Sequence, residues 1–354
     1  MPQRHHKGRG AVSDREGRFA TRPVEFEPGE AARRAAEAPQ TVLKAMQAGS
    51  IISHNDSPDV PFDHSINPYQ GCEHGCIYCY ARPSHSYLDL SPGLDFETRI
   101  FYKPNAASRL LETWEKPGYE CQPITIGANT DPYQPAEKST RVTRSLLELF
   151  DKHRHPVNLI TKGTLIERDI DLLARLASQR LCSVAISMPT LDAGLKRIME
   201  PRVPSAEARL RTIRRLTERG VPTSALLAPL IPAINDAEIE SVLEAVSDAG
   251  ATHAHYIFLR LPHEVAGLFT EWLDTHFPDR ASRVMSLVRQ ASGGRNYDNR
   301  FGVRQRGRGA YAEMLGKRFR VACQRHGLAP ERYHRGLDCT RFRKPGQQQL
   351  GLDL

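Results

Sequence analysis

Between residues 65 and 262, six short apolar, β-rich runs alternate with amphipathic segments of helical period. No other feature of the chain constrains its fold as strongly. The runs are SINPY (65–69), PITIGANT (123–130), VNLITKG (157–163), CSVAISMP (182–189), TSALLAPL (223–230) and HAHYIFLRL (253–261). Between them, RVTRSLLELFDKH sets Val142, Leu146, Leu149 and Phe150 at a 3–4 spacing, and ERDIDLLARLASQ does the same with Ile170, Leu173, Leu176 and Ala177. SAEARLRTIRRLTERG opens on a serine cap and closes on Gly220, and NDAEIESVLEAVSDAG repeats that design. Strand–helix alternation of this kind predicts βαβ units and a parallel sheet. Six units suit a partial (β/α)6 barrel of the α/β class. In such folds the ligand sits at the carboxyl ends of the strands. That rule selects Asn129, Thr130, Asp131, Thr161, Lys162, Ser187, Ala228, Pro229 and Arg260.

A glycine-containing loop follows the first of these strands and reads GCEHGCIYCYARPSH. Cys72, Cys76 and Cys79 fall within eight residues of it. Seven cysteines in 354 residues are too few for a disulfide scaffold, and clustered thiols read as metal ligands. Cys121, Cys182, Cys323 and Cys339 are scattered, and Cys182 reads as a small core residue. Three thiolates can each bind one iron of a cubane and leave its fourth iron without a protein ligand. An open metal position is where a small molecule coordinates. S-adenosylmethionine can fill it through its amino and carboxylate groups. An electron from the reduced cluster then breaks a carbon–sulfur bond and yields a 5′-deoxyadenosyl radical. The competing reading is a zinc site completed by His74 or His85. Zinc sites usually pair two Cys-x2-Cys knuckles, and only one group of thiols occurs here.

The loop resembles the radical SAM superfamily, in the branch around spore photoproduct lyase. GANTDPYQPAEK (127–138), LITKG (159–163), VAISMPTLD (184–192), MEPRVPSAEARL (199–210) and LLAPLIPAIND (226–236) carry the resemblance further, and KGRGAVSDREGRF near the N-terminus is similar too. It runs from about residue 7 to residue 262, and more loosely over the remainder. The resemblance implies a [4Fe–4S] cluster on Cys72, Cys76 and Cys79. It implies Tyr78 against the adenine of S-adenosylmethionine, and Thr130 and Asp131 at its amino group or nearby polar atoms. Lys162 would meet its carboxylate and Ser187 its ribose. Glu200 and Arg202 would brace that side, and Ala228 would offer backbone to the adenine edge. Tyr80, after the third cysteine, is a candidate radical relay or substrate contact. One departure concerns the hydrogen donor of the lyase, a cysteine just upstream of the position of the Thr130–Asp131 pair. Here position 128 is alanine, and Cys121 lies seven residues earlier. Radical chemistry also requires an electron donor such as flavodoxin or ferredoxin.

Residues 1–55 read as a basic arm, its first twenty residues flexible, with a helical stretch around Ala31 to Gln47. Residues 56–262 read as the core and 263–342 as a helical basic region, with helices over EVAGLFTEWLDTHF, near 280–290 and near 309–326. Residues 343–354 read as a flexible tail. The net charge of +8 is uneven: from Arg280 onward 17 Lys and Arg face 5 Asp and Glu, a local +12 that leaves −4 for the rest. Such asymmetry favours a polyanionic partner at one end of the molecule. Arg295, Arg300, Arg304, Arg306 and Arg308 interleave with Tyr297 and Phe301. Guanidinium groups bind phosphate bidentately and rings stack on bases, so the stretch predicts contact with DNA or RNA. The last six residues, Gln349 to Leu354, look like the short peptide with which bacterial proteins dock the DNA sliding clamp. No apolar run approaches the roughly 18–20 residues that span a bilayer. The N-terminus has no apolar signal region, so a cytoplasmic protein is expected. The substrate expected is a nucleic-acid base or nucleotide, attacked by hydrogen abstraction. The alternative is a non-catalytic nucleic-acid-binding protein that keeps a structural metal loop.

Overall fold

The computed structural model describes residues 8–19, 40–330 and 336–346. Its strands are β1 (Val42–Ala45), β2 (Ile52–His54), β3 (His64–Ile66), β4 (Tyr69–Gln70), β5 (Arg99–Tyr102), β6 (Ile124–Ile126), β7 (Val157–Thr161), β8 (Cys182–Ser187), β9 (Thr223–Leu230) and β10 (His253–Phe258). The six runs read from the sequence supply β3 and β6 to β10. They lie side by side in chain order, all parallel, with β2 added antiparallel on the β3 edge. This is the partial (β/α)6 arrangement, an open parallel sheet in a mixed α/β fold. Register is set by apolar pairs such as Ile66 with Ile126, Ile126 with Leu159 and Leu159 with Val184. β8 is buried along its whole length, as a strand covered on both faces must be.

The amphipathic segments form the outer layer. The helices Val142–His153, Ile170–Ala177, Ala206–Glu218 and Ile239–Asp248 turn their apolar stripes inward, burying Leu146, Leu173, Ile213 and Leu243 in the main core. Ser205 caps its helix by accepting from the Ala208 amide at 3.2 Å. Gly220 follows that helix with φ +73°, a left-handed stop that a Cβ would strain. Helices Glu264–His276, Pro278–Ala291 and Ala310–Arg325 follow β10. The last of these places Leu315 and Phe319 in the main core.

Three local expectations change. The helix expected around Ala31–Gln47 is strand over Val42–Ala45, and residues 20–39 lie outside the described residues. β1 pairs with β5, and β5 with β4, in a small second sheet. The strand therefore depends on a partner more than fifty residues away, which local periodicity does not reveal. Residues 9–12, in the stretch expected to be flexible, are buried. In the expected tail, the Arg343 amide donates to His153 O at 2.7 Å and Lys344 Nζ to Lys116 O at 2.7 Å. Gln349 to Leu354 lies outside the described residues. Among the described residues no helix is long and apolar enough to cross a membrane.

Candidate active site

The carboxyl ends of the parallel strands open into a cavity of about 170 Å³. Cys72, Cys76 and Cys79 line it, together with Tyr78, Tyr80, Asp131, Lys162, Ser187 and Ala228. Ile160, Leu226 and Pro229 add apolar surface, and Phe62 closes from the β2–β3 connection.

Backbone geometry brings these groups together. Asn67, just after β3, accepts from the Asn129 amide at 2.9 Å and so holds the loop after β6. In that loop Gly127 has φ +91°, and a Cβ there would stand 2.3 Å from Ile160 O. Only glycine fits. Gln134 ties this loop to the cysteine loop: it accepts from the Glu73 amide at 2.9 Å and donates to Gly71 O at 3.1 Å.

Cys72 and Cys76 are buried and Cys79 is half-buried. Burial pushes the Cys72 and Cys76 thiols well up. Asp131 and the neighbouring thiols add to this at Cys72, and Glu200 adds to it at Cys76, where Lys162 opposes. The metal-free thiols therefore keep their protons near neutral pH, and a bound metal must displace them. Burial alone would lower Lys162, but the charge Cys76 takes on when it ionises, with those of Glu200 and Asp131, outweighs it and holds the ammonium above its ordinary value. Lys162 Nζ stands 5.9 Å from the centre of the Tyr78 ring.

The two histidines considered as the fourth ligand of a zinc site are engaged elsewhere. His85 is buried with Nε2 3.0 Å from Arg99 O and its ring edge-on to Phe96. His74 lines the cavity but turns Nδ1 toward Asp131 Oδ2, at 3.3 Å, in a contact not aligned for a hydrogen bond. Among the described residues no three His, Cys, Asp or Glu side chains converge as they would on one ion. A cubane asks for something different, because each thiolate binds its own iron and the sulfurs stand apart. Three thiols on one cavity wall, with one ammonium beside them, fit a cluster and a zwitterionic cofactor.

The other residues singled out from sequence divide. Asp131 faces the cavity, yet its oxygens are already used. Oδ1 accepts from Thr161 Oγ1 at 2.6 Å and the Tyr133 amide at 2.9 Å, and Oδ2 from the Lys162 amide at 2.7 Å. Thr130 is turned away, its hydroxyl donating to Tyr69 O at 2.9 Å. Ser187 lines the cavity and donates to Ala228 O at 3.4 Å. Glu200 lies behind the cavity, where its Oε1 accepts from the Tyr78 hydroxyl. Arg202 is on the outer side, 3.5 Å from Glu73. Sequence reasoning missed Arg209, which is fully buried. It stands 3.1 Å from Glu200 and donates to Ser187 O at 2.8 Å, joining Tyr78 to Ser187 through Glu200. A lone arginine on a helix gives no signal of that kind.

Tyr80 is partly exposed at the mouth, its hydroxyl donating to Ala128 O. The Arg260 guanidinium lies 4.6 Å from the Tyr80 ring centre and 5.9 Å from that of Tyr297. The glycine- and arginine-rich stretch comes to this mouth, because Phe258 at the end of β10 donates its amide to Gln305 O at 2.8 Å. Its arginines do different things. Arg300 forks onto Asp298, and Arg304 pairs with Asp59 at 2.5 Å. Arg295, Arg300 and Arg308 line a second, polar cavity of about 300 Å³, and Arg306 is exposed.

The model of the radical SAM superfamily matches residues 66–246, just over half of the chain. The uncharacterized protein Rv2578c of Mycobacterium tuberculosis is 35% identical over 233 residues, 65% of this chain and 68% of that protein. The uncharacterized protein MJ0683 of Methanocaldococcus jannaschii is 28% identical over 214 residues, 60% of this chain and 76% of its own. Among solved structures, spore photoproduct lyase complexed with dinucleoside spore photoproduct superposes with a TM-score of 0.60 at 15% identity. It covers 88% of this chain and 86% of that one. With thiols, ammonium and strand ends on one cavity wall and the family match running through all of them, the chain belongs to the radical SAM superfamily, enzymes that use a [4Fe–4S] cluster and S-adenosylmethionine.

Proposed function

We propose that this radical SAM enzyme acts in the cytoplasm on a nucleic-acid base or nucleotide, from which it abstracts hydrogen. The carrying observation is a cavity with two kinds of lining. Cys72, Cys76, Cys79 and Lys162 line it together with Tyr80, which is partly exposed, and with Arg260, Phe62 and Gln305. When bound, the cluster and S-adenosylmethionine supply the 5′-deoxyadenosyl radical. Cys72, Cys76 and Cys79 hold the cluster, and Lys162 binds the cofactor carboxylate by charge. The Tyr78 ring and the Ala228 backbone flank the adenine, and Ser187 meets the ribose. Asp131 acts through its neighbours, fixing Thr161, the Lys162 backbone and His74. Ile160, Leu226 and Phe62 keep water from the reacting centre.

At the mouth, Arg260 between two tyrosine rings is a surface on which a flat base can stack. Tyr80 is the residue proposed to touch the substrate or relay the radical. Arg295 and Arg308 suit a backbone phosphate, whereas Arg300 is committed to Asp298 and Arg304 to Asp59. Likeness to a lyase solved with a dinucleoside photoproduct supports the class of substrate. The absence of a thiol at position 128 argues for a different reaction outcome. A reductant such as flavodoxin or ferredoxin completes the system.

The test is anaerobic. Reduced, cluster-loaded protein is given S-adenosylmethionine with or without DNA and RNA oligonucleotides, at low and high salt, and 5′-deoxyadenosine is quantified. Nucleic acid is expected to raise its release several-fold, with the gain falling steeply as salt rises. Equal release with and without oligonucleotide would overturn the substrate class. No release under any condition would overturn the chemistry.

A further inference from the structure

Behind the cysteine loop, one buried carboxylate collects contacts from two other parts of the chain. Glu97 is fully buried. Its Oε2 accepts from the Gly10 amide at 3.0 Å, and its Oε1 from the Ala11 amide at 2.8 Å and Arg82 Nη2 at 2.5 Å. Arg82, also fully buried, donates from Nε to Cys76 O at 2.9 Å. Its Nη1 donates to Pro92 O at 3.1 Å and Gly93 O at 2.9 Å. Arg9 Nη1 donates to Glu97 O at 2.9 Å. The backbone carbonyl of a cluster-ligand cysteine is thus two side chains away from the N-terminal segment.

The approach of that segment to the loop is closer still. A Cβ on Gly10 would stand 1.8 Å from Gly75 O and 3.3 Å from the Ile77 amide. A Cβ on Gly75, which has φ +67°, would meet Glu97 Oε2 at 2.7 Å. Gly75 lies between Cys72 and Cys76. Two glycines are therefore required where strap and loop cross, one on each side. Beyond the crossing, Ser13 and Arg15 fasten the strap to Glu271, each at 2.6 Å.

We infer that residues 9–12 are a built part of the cluster site: with Glu97 and Arg82 they hold the cysteine loop in the shape that accepts the cluster, and Glu97 sets its charge environment. The loop has few backbone bonds of its own that could do this. Its outward backbone bonds run from the Cys72 amide to Phe96 O at 2.9 Å, from the Ile77 amide to Met199 O at 3.2 Å and from the Arg202 amide to His74 O at 3.3 Å, and Gln134 holds the Glu73 amide and Gly71 O. Three ligands at fixed spacing need a preorganised loop, and the strap supplies the missing wall. Glu97 is a positioning residue, since it touches no thiol directly. The inference rests on the cluster assignment and is independent of the substrate.

The test uses the full chain with Gly10→Ala, Glu97→Gln and, as a control on the same strap, Arg15→Ala. Iron and acid-labile sulfide per chain are measured after anaerobic reconstitution, beside the melting of the apoprotein. Gly10→Ala is expected to lose cluster content several-fold while the apoprotein melts as the unaltered protein does, and Arg15→Ala to load normally. In Glu97→Gln, removal of a buried anion eases addition of an electron, so the midpoint potential of the loaded cluster rises. Normal loading of Gly10→Ala overturns the inference. If Gly10→Ala instead melts early, Glu97→Gln decides. Lost loading or a raised potential with the apo fold intact supports the role, and unchanged loading and potential overturn it.

Discussion

Asp131 shows how a residue that looks like a ligand can serve as a fastener. It sits at a strand end in a polar motif, where a partner for a cofactor amine is expected. In the folded protein it bridges the loop after β6 to the end of β7 and to His74. Burial pushes its carboxyl up, but the His74 contact, the Thr161 hydroxyl and the Lys162 amide outweigh this and hold it near a pKa of about 2. The sign follows from that depression: stabilisation is complete above the unfolded carboxyl range near 4 and is lost as pH falls toward 2. Asp131→Asn should destabilise the apoprotein by about 2 kcal/mol at neutral pH. The gap between variant and unaltered protein in urea midpoint should stay level from pH 7 to about 5 and close below about pH 4. A gap independent of pH down to 2 would mean that the charge of Asp131 is not what matters.

At the scale of elements, the connection between β2 and β3 is held over the cavity by a segment more than two hundred residues away. Asp59 Oδ1 accepts from the Gly302 amide at 2.6 Å and Oδ2 from Arg304 Nε at 2.5 Å. The pair is mostly buried on the aspartate side. Removing one partner of such a pair leaves the other charge uncompensated. Asp59→Ala should raise amide hydrogen exchange at least tenfold in residues 55–63 and 300–305 and leave β7 and β8 unchanged. Unchanged exchange in 55–63 would show that Phe62 packing holds the hairpin without the ion pair. The arginine stretch was legible as basic and aromatic. That one of its arginines serves closure was not, because the partner aspartate lies in a remote hairpin with no periodic signal.

Across the whole molecule, two described segments far apart in sequence, residues 9–15 and 336–346, return to the core. The N-terminal strap crosses behind the cysteine loop, and the 336–346 segment packs Phe342 onto Trp114, Tyr119 and His155 at centroid distances of 5.6, 5.7 and 4.9 Å. Truncation after residue 335 should expose that aromatic cluster and lower the apoprotein melting temperature by several degrees. A melting curve unchanged by the truncation would show that the segment adds nothing to stability. The parallel sheet, its six strands, the covering helices and the grouping of three cysteines in one loop were readable in advance, because each is written in local period or spacing. Periodicity of 3.6 or 2 reports which face is buried, and three thiols in one loop need no distant partner to be recognised. Only tertiary structure assigned the pairing of β1 with β5, the turning away of Thr130, the Tyr78–Glu200–Arg209–Ser187 chain and the strap on Glu97. Each depends on groups that meet across tens to hundreds of residues, and a side chain's direction is decided by what it meets.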